Sequence, residues 1–177
     1  MAHIDAFKGW AETIRQDIDA YKALLESKAD EHSKKLAGAS LLYMVSRMDL
    51  IPDWNEGIGV IDDVMVLRVC AQLVQGHDLG ALPAAAEAAL GRMANEADKI
   101  TEFLGSSLYD KLKAYCAKLI DVSVRGRTPA ALIDDATLRK ALATELEDEI
   151  KNTVPIVIND AKDAELRLKA YLTHKLQ

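Results

Sequence analysis

Pro52 stands between two apolar segments, residues 36–44 and 58–74, and no continuous helix can run through it. Proline removes a backbone donor, clashes with the carbonyl four residues back, and pushes the residue before it, here Ile51, toward extended backbone. Two helices must therefore end and begin here and fold back on each other. The connecting stretch, residues 48–63, reads M-D-L-I-P-D-W-N-E-G-I-G-V-I-D-D. It places Asp49 and Asp53 around the proline and Asp62 and Asp63 at the start of the next helix, with Gly57 and Gly59 permitting close backbone approach.

The rest of the chain supports a helical setting for that hairpin. Ile4, Phe7, Ala11, Ile14, Ile18, Tyr21 and Leu25 alternate spacings of three and four, which predicts an amphipathic helix with one narrow buried seam. A second helix is expected over residues 30–47, with Leu36, Ala39, Ser40, Tyr43 and Met44 inward, and a third, the most apolar, over residues 57–75. After a glycine-bounded loop at 76–80, Pro83 can open a helix carrying Leu90, Met93, Ala97 and Ile100 inward. Another carries Leu108, Leu112, Tyr115, Cys116 and Leu119 and stops near Arg125 and Gly126. Thr128 before Pro129 is a cap followed by proline at the first helical position, and Asp135 caps a helix through Leu138, Leu142, Leu146 and Ile150. Residues 154–158 are strand-like but have nothing to pair with, so they read as a connector or a helix start. Asn159 or Asp160 then precedes a last helix to residue 175. The expected fold is all-α: a single domain, residues 1–177, built as a bundle of about seven helices around a central apolar helical hairpin at residues 36–75.

Composition narrows the function classes. A chain of 177 residues buries roughly 70% of the surface its unfolded form exposes, enough for a core without staples. A net charge of −6 without a Lys/Arg block argues against nucleic-acid binding. Cys70 and Cys116 lie in apolar helical patterns and read as reduced core thiols. The N-terminus carries charges where a signal peptide needs its apolar run, which points to the cytoplasm. Asp62, Asp63 and Arg68 interrupt residues 58–74, so no transmembrane span is expected, while peripheral membrane contact stays open. The four histidines are scattered, and His77 reads as a solvated loop residue. The acidic run Glu145, Glu147, Asp148 and Glu149 reads as a solvated helix face.

Helical phase separates the four aspartates of the hairpin. Arg68, Gln72 and Gln75 form a polar stripe taken as the solvent side; at about 100° per residue, Asp63 projects roughly 145° from its centre and Asp62 roughly 115°. Both acids face inward on this reading, Asp63 most. A carboxylate so placed requires hydrogen bonds, a counter-charge or a cation. The first-turn amides, Arg47 and a metal are the available partners. Capping of helix ends is the favoured reading of the acids. The alternative is a site for Mg²⁺, Mn²⁺ or Ca²⁺ ligated by Asp49, Asp53, Asp62 and Asp63. Known loop signatures fail: Asp53, Asn55 and Gly57 begin like a calcium loop, but the glycine comes one place early and the twelfth position is Val64.

The stretches Y-M-V-S-R-M-D-L-I-P-D and G-I-G-V-I-D-D-V-M-V-L resemble the YkvA-like domain, a short helical-hairpin module of unknown function. The pattern carries over to Tyr43, Ser46, Asp49, Leu50, Ile51, Pro52, Asp53, Gly59, Asp62 and Asp63 and covers about residues 36–75. Arg47 replaces the proline usual after the serine, and Trp54, Asn55 and Glu56 make a more polar link than relatives carry. The resemblance implies the hairpin and supplies no reaction.

Two functional readings follow. The first is a non-enzymatic helical module that binds a protein partner or a membrane surface, in keeping with the absence of a nucleophile–base pair. The second is a metal-dependent hydrolase using the Asp49, Asp53, Asp62 and Asp63 cluster. No cofactor is required by the first, and a divalent cation is required by the second. The heptad-like first helix also allows homo-oligomers.

Overall fold

The computed structural model describes residues 2–46, 50–51, 58–153 and 156–177. Among them are nine α-helices: α1 (His3–Trp10), α2 (Ile14–Glu26), α3 (Glu31–Val45), α4 (Ile61–Val74), α5 (Ala84–Leu104), α6 (Ser106–Lys118), α7 (Pro129–Asp134), α8 (Ala136–Lys151) and α9 (Ala161–Lys175). The first predicted helix is α1 and α2 joined by one 3-10 turn, Ala11–Thr13. The all-α expectation holds: among the described residues the only extended pairing is the isolated bridge between Val124 and Arg127.

Helix α4 is the axis of the molecule. It is packed against α1, α3, α5 and α6, and every residue from Ile61 to Ala71 is buried. The stripe expected to face solvent therefore does not: Arg68 is 0% exposed, Gln72 is half-buried, and only Gln75 reaches the surface. A helix surrounded by neighbours has no solvent side from which to set a phase. The inward placement of both aspartates nevertheless holds, with the order reversed, Asp62 being 0% exposed and Asp63 8%. No helix among the described residues is long and apolar enough to cross a membrane.

The outer helices fasten to this centre by identifiable local chemistry. Asp30, Thr128, Asp135 and Asp160 each accept a backbone amide at the start of α3, α7, α8 and α9, as their cap chemistry predicts. Glu165 of α9 accepts the Ile4 amide at 3.0 Å, so the last helix closes over the free N-terminal turn of the first. At Gly38 of α3 a Cβ would lie 3.3 Å from Pro129 Cα and Leu132 Cδ1, and the missing side chain lets α7 lie close across α3. The acidic face of α8 is only partly solvated: Glu145 binds Arg125 and Arg127, and Glu147 pairs with Arg15 of α2 at 2.6 Å.

Cys70 and Cys116 are free and fully buried, as read from the sequence. Tyr109 of α6 donates its hydroxyl proton to Gln72 Oε1 of α4, and burial pushes its phenol from the usual 10.0 up to about 12. Because the folded pKa is raised, this contribution to stability is complete below pH 10.0 and disappears as pH rises toward about 12. In an alkaline titration of phenolate absorbance, Tyr109 should ionise late and together with unfolding, and Tyr109→Phe should remove that late step.

Candidate functional site: the hairpin latch and a buried ion network

The end of α3 and the first turn of α4 bring two motif residues face to face. Tyr43 lies on the last turn of α3 with its side chain buried, and its hydroxyl donates to Asp62 Oδ2 at 2.6 Å. The same hydroxyl accepts the Leu50 amide at 2.9 Å. The Ile51 amide lies 3.4 Å from Asp62 Oδ2. One phenol and one carboxylate thus hold the two chain positions that precede the proline, while Leu50, Ile51 and Ile58 bury their side chains in the core. Placement in the first turn of α4 also sets both Asp62 and Asp63 where the helix dipole favours negative charge.

The other motif residues fall as follows. Ser46 is the C-cap of α3 and lines a 290 Å³ pocket with Tyr43, Tyr115, Leu119, Ser123 and Arg125. Gly59 is buried in the turn before α4. Arg47, Asp49, Pro52 and Asp53 lie outside the described residues, as does Gly57, and with them half of the expected ligand set. Among the described residues no three His, Cys, Asp or Glu side chains gather into a metal-binding group.

A second cluster escaped the sequence reading. Arg68 of α4 meets Asp17 of α2 at 3.2 Å and Glu96 of α5 at 3.6 Å. Its guanidinium lies over the Trp10 ring, 4.6 Å from the centroid, and donates to the Val64 carbonyl at 3.2 Å. Asp17, itself 0% exposed, also binds Arg92 of α5 and accepts the Thr13 hydroxyl at 2.9 Å. Arg92 closes the network on Glu96 at 2.7 Å. Two cations and two carboxylates are balanced, and they tie α1, α2, α4 and α5 together. Burial pulls the Arg68 guanidinium below its usual range, and the neighbouring Asp17 and Glu96 oppose that pull. The signal was present in the sequence: a lone arginine inside the most apolar helix must find buried carboxylates, and Asp17 falls on the same helical face as Trp10 and Thr13.

A concavity of 860 Å³ lies beside this network, between α2 and α5. Ala20, Ala23, Ala86 and Ala89 make its floor, and Gln16, Asp19 and the one-third exposed Arg92 stand at its rim.

No curated protein and no solved structure matches the chain. Residues 33–68, from the first turn of α3 to the buried Arg68 of α4, match the model of a family described as a protein of unknown function, DUF1232, and with it the YkvA-like resemblance of the hairpin is consistent.

Proposed function

We propose that the chain is a non-catalytic helical module that binds a protein partner, with the α2/α5 groove receiving an amphipathic helix. The observation that carries this reading is the groove itself. It is alanine-floored, so a partner helix can approach the backbone closely, and its rim offers both charge signs through Asp19 and Arg92 for orienting it. The hairpin supports the same reading, because the hydrogen bonds of Asp62 to Tyr43 and Ile51 serve the fold. The natural setting is cytoplasmic.

Ala88→Arg projects a long charged side chain from the exposed edge of the groove. It should abolish recovery of a partner that the wild-type chain retains, at unchanged helicity and melting temperature. Recovery that is indifferent to the substitution sinks the groove. Dimers seen by sedimentation and lost with Ala88→Arg would replace the partner with a second copy, and flotation with liposomes at low salt would replace it with a membrane surface.

One observation favours the metal reading as a second possibility: Asp62 and Asp63 are adjacent and buried, and Ile51, which touches Asp62, is flanked two residues away by Asp49 and Asp53 in the sequence. In the same chelator-stripped protein, a melting temperature raised by Mg²⁺, Mn²⁺ or Ca²⁺ and insensitive to them in Asp63→Asn would put this reading first.

A further inference from the structure

Between α6 and α7 the chain reverses in two residues. The Val124 amide donates to the Arg127 carbonyl at 2.8 Å and the Arg127 amide to the Val124 carbonyl at 3.1 Å. Arg125 and Gly126 alone make the reversal, at φ +53° and +79°. A turn of this kind needs positive φ at both central residues, which glycine takes freely, asparagine and aspartate tolerate, and a long side chain resists. Gly126 meets that demand. Arg125 does not, and among the described residues no other side chain is held at positive φ. A local rule broken where a better turn residue would serve marks a side chain kept for what it reaches.

Arg125 reaches the 290 Å³ pocket between α3 and α6. Leu42 of α3, Tyr115 of α6 and Leu119 wall it with apolar surface, and Ser46 and Ser123 bring hydroxyls to it. Its size is at the small end of the roughly 300–1,000 Å³ that ligand pockets span. The charge beside it is unbalanced. Glu145 of α8 accepts from Arg125 at 2.6 Å and from both terminal nitrogens of Arg127, so one carboxylate faces two guanidiniums. Nε of Arg127, a residue only 8% exposed, has no hydrogen-bond partner. The Glu145 carboxyl is held below its usual range by the Arg127 hydrogen bond first, against its own partial burial and with help from Arg125. Lys118 and Asp121, exposed just before this segment, are opposite in sign. One positive charge is therefore left over, and Arg125, with 42% of its side chain exposed, carries it at the pocket.

We propose that this pocket binds a small amphipathic carboxylate, its apolar body against Leu42, Tyr115 and Leu119 and its acid group on Arg125 and the Ser123 hydroxyl. A guanidinium presents five donors in a planar fork. Glu145 engages one terminal nitrogen of Arg125, and the rest of the fork can receive a second carboxylate. The site shares no residue with the α2/α5 groove. Two residues of the hairpin motif, Tyr43 and Ser46, line it, so a ligand there would sit against the latch.

The test titrates phenylbutyrate and its neutral analogue phenylbutanol into the whole chain and follows the methyl resonances of Leu42, Leu119 and Val124. Phenylbutyrate should shift them saturably and bind about tenfold more tightly than the alcohol, the difference being one charge-assisted hydrogen-bonded pair. Arg125→Asn should abolish that discrimination and leave the affinity for the alcohol unchanged. Its melting temperature should hold or rise, because asparagine suits the turn and Arg127 still holds Glu145. Ala88→Arg, in the α2/α5 groove, should leave phenylbutyrate binding as it is. Shifts that do not saturate, equal affinity for acid and alcohol in the wild type, discrimination that survives Arg125→Asn, or binding lost with Ala88→Arg would each overturn the site.

Discussion

Arg68→Leu should destabilise the protein by about 3–5 kcal/mol, the cost of removing one partner from a buried ion pair and leaving the other charged and enclosed. For a chain of this size that is a fall of about 10 °C in melting temperature. The cause is specific: leucine fills much of the space beside Trp10, but Asp17, with no solvent exposure, keeps only Arg92 and the Thr13 hydroxyl. The double variant Arg68→Leu/Asp17→Leu should then lose much less than the sum of the two single changes, because an uncharged pair leaves no buried charge uncompensated. Arg68→Lys should recover part of the loss, since an ammonium keeps the charge but cannot reproduce the planar stacking on Trp10 or the fork that spans Asp17 and Val64. Denaturant unfolding reads all four proteins; additive losses in the double variant would mean that Arg68 stabilises by packing alone.

That network explains what the sequence could and could not reveal about the fold. Helix existence was legible wherever local chemistry decides it: Thr128 with Pro129, Asp135 and Asp160 cap in the structure as their residue types require. The seam of the first rod was legible at Ile4, Phe7, Ile18 and Tyr21, all buried. It was drawn too narrow, because Asp17 and Trp10 are buried as well, and a charged residue in an amphipathic pattern reads as solvent-facing unless its partner is known. That partner, Arg68, lies in another helix, and no periodicity within one helix reports it. The same limit produced the misread stripe on α4, whose three polar residues face an ion network, a tyrosine of α6 and solvent in turn.

Where the motif aspartates of α4 point was legible in the sequence, and what they meet there was not. Asp62 and Asp63 were expected to turn inward, and they do. Amides, Arg47, a lysine and a metal are the partners that residue type suggests for them; the structure gives Asp62 the hydroxyl of Tyr43, which the motif already contains. The spacing could have suggested it: an aromatic hydroxyl on the last turn of one helix and an acid on the first turn of the next are natural neighbours across a tight reversal. Likewise His32 and His77 look scattered in the sequence, yet their rings stack, 5.2 Å between centroids, because the contact that joins them runs between loops, through Asp30, Asp78 and Gly80.

Tyr43→Phe removes a single oxygen at constant packing and should cost about 2–4 kcal/mol, since it withdraws both the acceptor of a buried amide and a hydrogen bond to a carboxylate. The loss should be local in its first effect: the amides of Leu50 and Ile51 should exchange with solvent faster than global unfolding allows, while amides in the middle of α4 should follow the global stability. Asp62→Asn separates hydrogen bonding from charge. Its side-chain oxygen can still accept from Tyr43 and from the Ile51 amide, so if the pair acts as a latch the asparagine variant should be milder than Tyr43→Phe. If instead the negative charge is what the position requires, as a cation site would demand, the order reverses, and the asparagine variant should also lose any stabilisation by Mg²⁺ or Mn²⁺. A Tyr43→Phe protein within about 0.5 kcal/mol of wild type, with unchanged exchange at Leu50 and Ile51, would remove the latch, because an ordinary surface substitution falls in that range.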